Sequence, residues 1–238
     1  MIIYAVRIGD RYGIEYEQYL EKMLPYEIRW IREEKDRRIK LQWNKMYAMD
    51  SKLDEPICVI DIDILLLNDY KKIFEYPIQK GEFLAAPNWW RGLPKDSIWK
   101  INGGFYKYYP TDCQYIYDKF MENPGYWQSK YIADGVTTGP INGEQNFVEE
   151  LARERLNVIT LPDSWFCRMD ARKDQMQIIG VLNRMYKEIT GNDYMFMSDF
   201  HPDIKFVHFT NMDNHPHKWK KYHSYKNLPA MYNDSNGD

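Results

Sequence analysis

The most constraining stretch of this chain is Ile57-Cys58-Val59-Ile60-Asp61-Ile62-Asp63. Its four leading apolar residues read as a strand buried on both faces, the pattern of a parallel sheet covered by helices. The run stops on two carboxylates with one residue between them. Leaving a buried carboxylate unpaired costs several kcal/mol, so acids at the end of a core strand call for partners or a cation. Open α/β sheets bind ligands outside the carboxyl ends of their strands, where Asp61 and Asp63 fall. Side chains alternate along a strand, so positions 61 and 63 point the same way. Two oxygen donors on one side suit a hard divalent cation completed by a substrate diphosphate. Asp also serves ordinary strand-end turns, so the flanking sequence has to decide.

The flanks alternate. Residues 2 to 8 read as a first strand, ended by Gly9-Asp10-Arg11-Tyr12-Gly13. Its two glycines allow close backbone approach to a ligand, although the G-x-G-x-x-G fingerprint is missing. Residues 14 to 24 have helical spacing in Ile14, Tyr16, Tyr19, Leu20, Met23 and Leu24, and Pro25 ends that helix. A second strand over 27 to 31, a solvated charge run over 33 to 40 and a helix over 41 to 49 lead into the acidic strand. Strand, helix, strand, helix, strand is the signature of a mostly parallel sheet flanked by helices, a Rossmann-like α/β fold.

Beyond Asp69 the spacing predicts a short helical segment, a strand over 82 to 87, and an aromatic, basic loop holding Trp89, Trp90, Arg91, Lys95 and Trp99. Asn102-Gly103-Gly104 then opens an aromatic strand over 101 to 109, and a helix over 112 to 122 follows. Residues 123 to 143 read as a long functional loop, 144 to 155 as a helix and 157 to 161 as a strand. A longer helix is expected over 170 to 191, capped by Asp170, ended by Gly191 and carrying Met176, Ile179, Leu182, Tyr186 and Ile189 on its core face. Residues 205 to 210 are the final strand. Neither internal repeats nor a linker divide the 238 residues, so a single domain is expected over 1–238, with 220–238 as a tail.

Composition narrows the function. A net charge of −3 argues against nucleic acid and against a general attraction to anionic membranes. No apolar run approaches the roughly 18 residues of a membrane span. Met1 to Arg7 carries no basic region ahead of its apolar run, so no signal peptide is expected. The 3 cysteines, Cys58, Cys113 and Cys167, are far apart and fit neither a disulfide framework nor a zinc pattern, so the expected setting is cytoplasmic. Aromatic residues reach 16%, more than a core needs, and Tyr and Trp suit sites that are apolar on one side and wet on the other.

With these pieces in order, most of the chain resembles the GT-A glycosyltransferases, and within them the family-8-like enzymes related to glycogenin and the bacterial lipopolysaccharide galactosyltransferases. The resemblance implies that Asp61 and Asp63 hold Mn2+, with Mg2+ the alternative, on the diphosphate of a nucleotide sugar. Lys45, in Trp43-Asn44-Lys45, matches the family's basic donor contact before that strand. Asn102 and Gly103 match its N-x-G segment along the donor sugar, and Glu144-Gln145 its acid-Gln pair at a helix start. His208, in Val207-His208-Phe209-Thr210, matches its third metal ligand. Two carboxylates and an imidazole favour Mn2+ over Mg2+. The family's H-x-G-x-x-K-P-W pattern is broken here, because Asn211 replaces the Gly and no Lys stands six positions after His208. The phosphate role passes to Lys218, with His215 and His217 as alternatives. Tyr4, Val6, Arg11, Tyr12 and Ile62 complete the expected donor contacts, with residues 4 to 12 packing a uracil or a guanine.

The expected activity is transfer of a hexosyl group, from a UDP-sugar by preference, to a glycan, lipid-linked sugar or protein hydroxyl, with retained configuration. Trp89, Trp90, Trp99 and Tyr126 are candidates for stacking on acceptor sugars, and Asp134 for orienting the acceptor hydroxyl or acting as base. Two other classes share these features. A sugar nucleotidyltransferase would show a Gly-rich basic loop, of which residues 9 to 13 are a faint version. A non-catalytic carbohydrate-binding protein would have no need of Asp61, Asp63 and His208.

Overall fold

The computed structural model describes residues 1–67, 69–88, 100–133, 143–170, 175–176 and 203–210. In chain order its elements are β1 (Ile2–Val6), α1 (Ile14–Met23), β2 (Glu27–Ile31), a 3-10 segment (Leu41–Ala48), β3 (Ile57–Ile60), β4 (Ile64–Leu66) and α2 (Lys71–Glu75). Next come β5 (Glu82–Pro87), β6 (Ile101–Tyr108), α3 (Pro110–Glu122), α4 (Pro124–Ala133), α5 (Glu144–Arg155) and β7 (Asn157–Thr160). After a short 3-10 turn (Asp163–Trp165), β8 (Phe166–Asp170), β9 (Gln175–Met176) and β10 (Phe206–Thr210) complete the order.

The chain forms two compact units. One comprises Met1–Ile62, Tyr76–Pro87 and Ile98–Leu161, and the other Asp63–Glu75, Asn88–Ser97 and Pro162–Asp238. The first is built on a six-stranded sheet in the order β2-β1-β3-β6-β5-β7. Neighbours are parallel except around β6, which runs antiparallel to both β3 and β5. Every residue of β3 and of β6 is buried, as central strands covered on both faces require. Against the sheet lies an aromatic core in which Trp43 stacks on Phe120 with ring centroids 5.3 Å apart. The second unit holds a four-stranded sheet in the order β4-β10-β8-β9. There β10 is parallel to β8 and antiparallel to β4, and Phe166 packs on Phe206 at 5.2 Å.

A mixed α/β fold with a mostly parallel central sheet flanked by helices is therefore borne out. Four local expectations change. The helix expected over 41 to 49 is a 3-10 segment. The expected loop over 123 to 143 contains α4, started by Pro124, with the Asn123 side chain accepting the Tyr126 amide at 3.1 Å. Asp170, expected to cap a long helix, ends β8, and Met176 lies in β9, because the β8 backbone is paired along its length with β10. Residues 64 to 66, expected only to follow the acids, form β4 against β10. The remaining positions of that helix lie outside the described residues. No helix among the described residues is long and apolar enough to cross a membrane.

One irregularity prepares the site. Ala85 pairs with Tyr106 but the next residue, Ala86, pairs with Asn102, so β6 bulges away from β5 at residues 103 to 105. Toward β3 the register stays regular as far as Ile60 opposite Phe105, after which the Asp61 amide donates to the Gly104 carbonyl at 3.0 Å.

Candidate functional site

In the first unit, Asp61 follows the carboxyl end of β3, where the bulge of β6 meets it. The bulge removes backbone groups from the sheet ladder, and buried backbone groups need other partners. Side chains supply them. The Gly103 amide donates to Gln145 Oε1 at 2.9 Å, and the Gly104 amide donates to Asn102 Oδ1 at 2.8 Å. The Gly103 carbonyl accepts from Lys45 Nζ at 2.7 Å. Asn102 Nδ2 reaches Gln145 Oε1 at 3.4 Å. At the start of the same strand, Glu149 takes the Lys100 and Ile101 amides at 2.8 and 3.1 Å and pairs with Arg153 at 2.6 Å. Its pairing with Arg153 is an ordinary helical spacing, but its hold on the β6 start had no signal in the sequence, since those backbone groups are almost fifty residues away.

The charges converge on the same spot. Lys45, on the 3-10 segment, is buried and stands 2.5 Å from Asp61 Oδ1 and 3.9 Å from Glu144 Oε2. Glu144 opens α5 behind Gly143, whose φ of 111° suits glycine alone. Burial pushes the Glu144 carboxyl up to about 7, and Asp61 adds to the rise, while Lys45 and the Tyr106 hydroxyl oppose it. Gly103 is closely packed here, since a Cβ would lie 3.0 Å from Glu144 Oε2 and 3.2 Å from the Tyr106 hydroxyl.

Among the buried polar atoms of this wall without a hydrogen-bond partner are Glu144 Oε1, an acceptor, and Gln145 Nε2, a donor, alongside the Tyr106 hydroxyl. Such orphans are uncommon in folded proteins and are explained by water, ions or ligand. A hydroxyl group, which donates and accepts, is the complement of that pair.

The other expected donor contacts of this unit lie along β1 and the loop after it. Tyr4 is a half-buried residue within β1 whose hydroxyl accepts from Arg29 at 3.1 Å, and Val6 ends the strand. The Tyr12 ring meets Tyr16 edge-on at 5.0 Å, with the Arg11 guanidinium 5.6 Å from its centroid. Ile62 is buried. Tyr126 projects from α4, half exposed, with its ring edge-on to Trp127.

In the second unit, Asp63 precedes β4 and His208 lies in β10, and the pairing of Ile64 with His208 brings them together. The Asp63 carbonyl accepts the Phe209 amide at 2.9 Å, which fixes the register. His208 Nε2 stands 3.7 Å from Asp63 Oδ1, too far for a direct hydrogen bond. Two ligands about 2.1 Å from one ion stand roughly 3 to 4 Å apart, so this pair fits a divalent cation. Asp134, Trp89, Trp90, Trp99, His215, His217 and Lys218 lie outside the described residues.

No protein-family model and no curated protein matches the sequence. The fold, however, is similar to that of solved glycosyltransferases. The glycosyltransferase GlyE of Streptococcus pneumoniae TIGR4 matches over 93% of this chain and 60% of its own length, with a TM-score of 0.52 and 11% identity. The galactosyltransferase LgtC, solved with donor and acceptor sugar analogs, matches over 94% and 96%, with 0.51 and 8%. A glycosyltransferase involved in glycosylation of the major capsid of PBCV-1 matches over 94% and 98%, with 0.51 and 14%. This chain thus spans less than two thirds of GlyE and nearly all of the other two. The architecture is that of the GT-A glycosyltransferases, as the sequence motifs lead one to expect.

Proposed function

We propose that this chain is a metal-dependent glycosyltransferase that moves a hexosyl group from a nucleotide sugar, UDP-linked by preference, to a hydroxyl acceptor with retained configuration. The observation that carries this reading is the wall of the first unit. There an acceptor and a donor without partners, Glu144 Oε1 and Gln145 Nε2, offer a sugar hydroxyl both halves of a hydrogen-bond pair. The fold of GlyE and LgtC is consistent with it.

In this reading Asp61, Asp63 and His208 hold the cation, each offering one ligand atom, and Mn2+ is favoured over Mg2+ by the imidazole. Bound there, the cation supplies positive charge against the diphosphate leaving group. The chain's own residues do the rest. Lys45 fixes the Asp61 carboxylate by their 2.5 Å contact and keeps positive charge beside the leaving group. Asn102 and Gln145 hold the bulge in shape through the Gly104 and Gly103 amides, so that the wall beside the sugar is fixed. Glu144 and Gln145 bond sugar hydroxyls. The base packs on Tyr12 with Tyr4, Val6, Arg11 and Ile62 near it, Lys218 meets phosphate, and Asp134 orients the acceptor, a glycan, lipid-linked sugar or protein hydroxyl.

Thermal unfolding with nucleoside diphosphates, each with and without Mn2+, tests this directly. A ligand that binds the native state alone raises the midpoint by mass action. A shift with UDP that requires Mn2+ is expected in the wild type and is expected to vanish in Asp63→Ala. Turnover of a UDP-sugar releasing UDP supports transfer, pyrophosphate release indicates nucleotidyl transfer, and silence with every nucleotide overturns the reading.

A further inference from the structure

We infer that Arg7, locked in place by Glu17, is a positioning residue that holds the Tyr12 loop in the shape that receives the nucleobase; this rests on the glycosyltransferase reading above. Arg7 directly follows β1, and its amide donates to the Ile31 carbonyl at 2.9 Å, carrying the β1–β2 pairing one residue past the strand. Its side chain turns back in two directions. Nη1 donates to the Tyr12 carbonyl at 3.3 Å, and Nε is ion-paired with Glu17 Oε1.

Glu17 is almost wholly buried on the first turns of α1, and Arg32, just past β2, grips its other oxygen at 2.7 Å. Burial alone raises the carboxyl pKa, but the Arg32 and Arg7 hydrogen bonds outweigh it and hold Glu17 below the usual carboxylate range. One carboxylate therefore ties together the ends of two adjacent strands and a helix. Through Arg7 it also closes the loop from position 7 to position 12.

That loop has reason to need closing. Gly9 turns it with a φ of +70°, and a glycine-turned loop has many other conformations open to it. The Arg7 bond fixes the backbone of Tyr12, while its ring packs in a T-shaped contact with the buried Tyr16 ring. An aromatic ring held in this way is preorganised for a planar ligand, so little ordering remains when a base binds. The diphosphate does not depend on this clamp, because the residues proposed for the metal and phosphates lie elsewhere in the sequence.

The clamp therefore separates base affinity from diphosphate affinity. Arg7→Lys keeps a positive charge for Glu17 and loses the directed bond to the Tyr12 carbonyl. Calorimetry on the full chain with Mn2+ should show UDP, or GDP if the wild type prefers it, binding Arg7→Lys roughly tenfold more weakly. Inorganic pyrophosphate should bind both proteins alike, and the melting temperature should change by no more than a few degrees. Glu17→Gln should reproduce the split at a lower melting temperature. An unchanged nucleotide affinity in Arg7→Lys, or an equal loss for nucleotide and pyrophosphate, overturns the inference alone. A wild type that binds no nucleoside diphosphate overturns it together with the proposed function.

Discussion

Glu144 carries an ordinary carboxylic acid into a place that disfavours its charge. Its pKa moves from 4.5 to about 7 on folding, chiefly through burial and secondly through the neighbouring Asp61, with Lys45 opposing. The sign of the consequence follows from which state holds the proton longer. Below pH 4.5 the group is protonated folded or unfolded, and stability is unaffected. Between about 4.5 and 7 the unfolded chain releases the proton first, so stability falls as pH rises, and above 7 the loss is complete. Each unit is worth about 1.36 kcal/mol, which places the full loss at about 3 kcal/mol or less. The nearly isosteric Glu144→Gln cannot ionise. Melting curves in EDTA should show it gaining on the wild type from pH 5 to 8, with the two equal near pH 4.5. A constant difference across that range would place the ionisation of Glu144 elsewhere. Asp61, Lys45 and the Glu144-Gln145 pair were legible in the sequence because each lies in a short motif. The Glu17–Arg7–Arg32 group was not, since its members stand 10 and 15 residues from Glu17 with no pattern joining them.

The elements divide along the same line. Strand β5 and helix α5 occur where their composition predicts, since an apolar run and a helical stripe are local signals. Helix α4 was hidden by the Gly, Tyr and Asn content of its surroundings, although Asn123 before Pro124 is a helix-start signal that could have revealed it. Strands β4 and β8 were hidden for a different reason. They owe their conformation to β10, a partner some forty residues away from β8 and about 140 from β4, and pairing at that range leaves no periodicity to read. The bulge of β6 is equally non-local, and the two glycines there were read only as the opening of a strand. Gly103→Ala tests how tightly that bulge is held. The added methyl meets Glu144 Oε2 at 3.0 Å, the Tyr106 hydroxyl at 3.2 Å and Gln145 Cβ at 3.4 Å, none of which is a freely swinging tail. A loss of about 1–3 kcal/mol in denaturant unfolding is expected, as for other overpacked sites. If the variant is as stable as the wild type, the bulge is looser than its hydrogen bonds imply.

Across the first unit as a whole, the helical side of the core converges on a single ring. Phe147 of α5 lies 5.9 Å from Trp43 of the 3-10 segment and 5.7 Å from Phe120 of α3. It also lies 5.2 Å from Trp127 and 5.9 Å from Tyr131, both of α4. The 3-10 segment of Lys45 and the α5 start of Glu144 and Gln145 therefore both lean on this ring. Aromatic pairs of this kind add to the area they bury, and truncating a buried Phe to Ala typically costs about 3–5 kcal/mol through lost contacts and the cavity left behind. In a chain of 238 residues that corresponds to a fall in melting temperature on the order of 10 °C. Phe147→Leu keeps most of the volume and should lose less than half as much. The functional consequence should follow the cavity rather than the chemistry. Because Phe147 stands one helical turn past Glu144, a ring-sized void beneath the α5 start frees the Lys45, Gly103 and Gln145 contacts to shift. Nucleotide-sugar turnover in Phe147→Ala, measured well below its own melting temperature, should fall much further than in Phe147→Leu. Equal turnover in the two variants would mean that the site is held by its hydrogen bonds alone and that the aromatic core serves stability only.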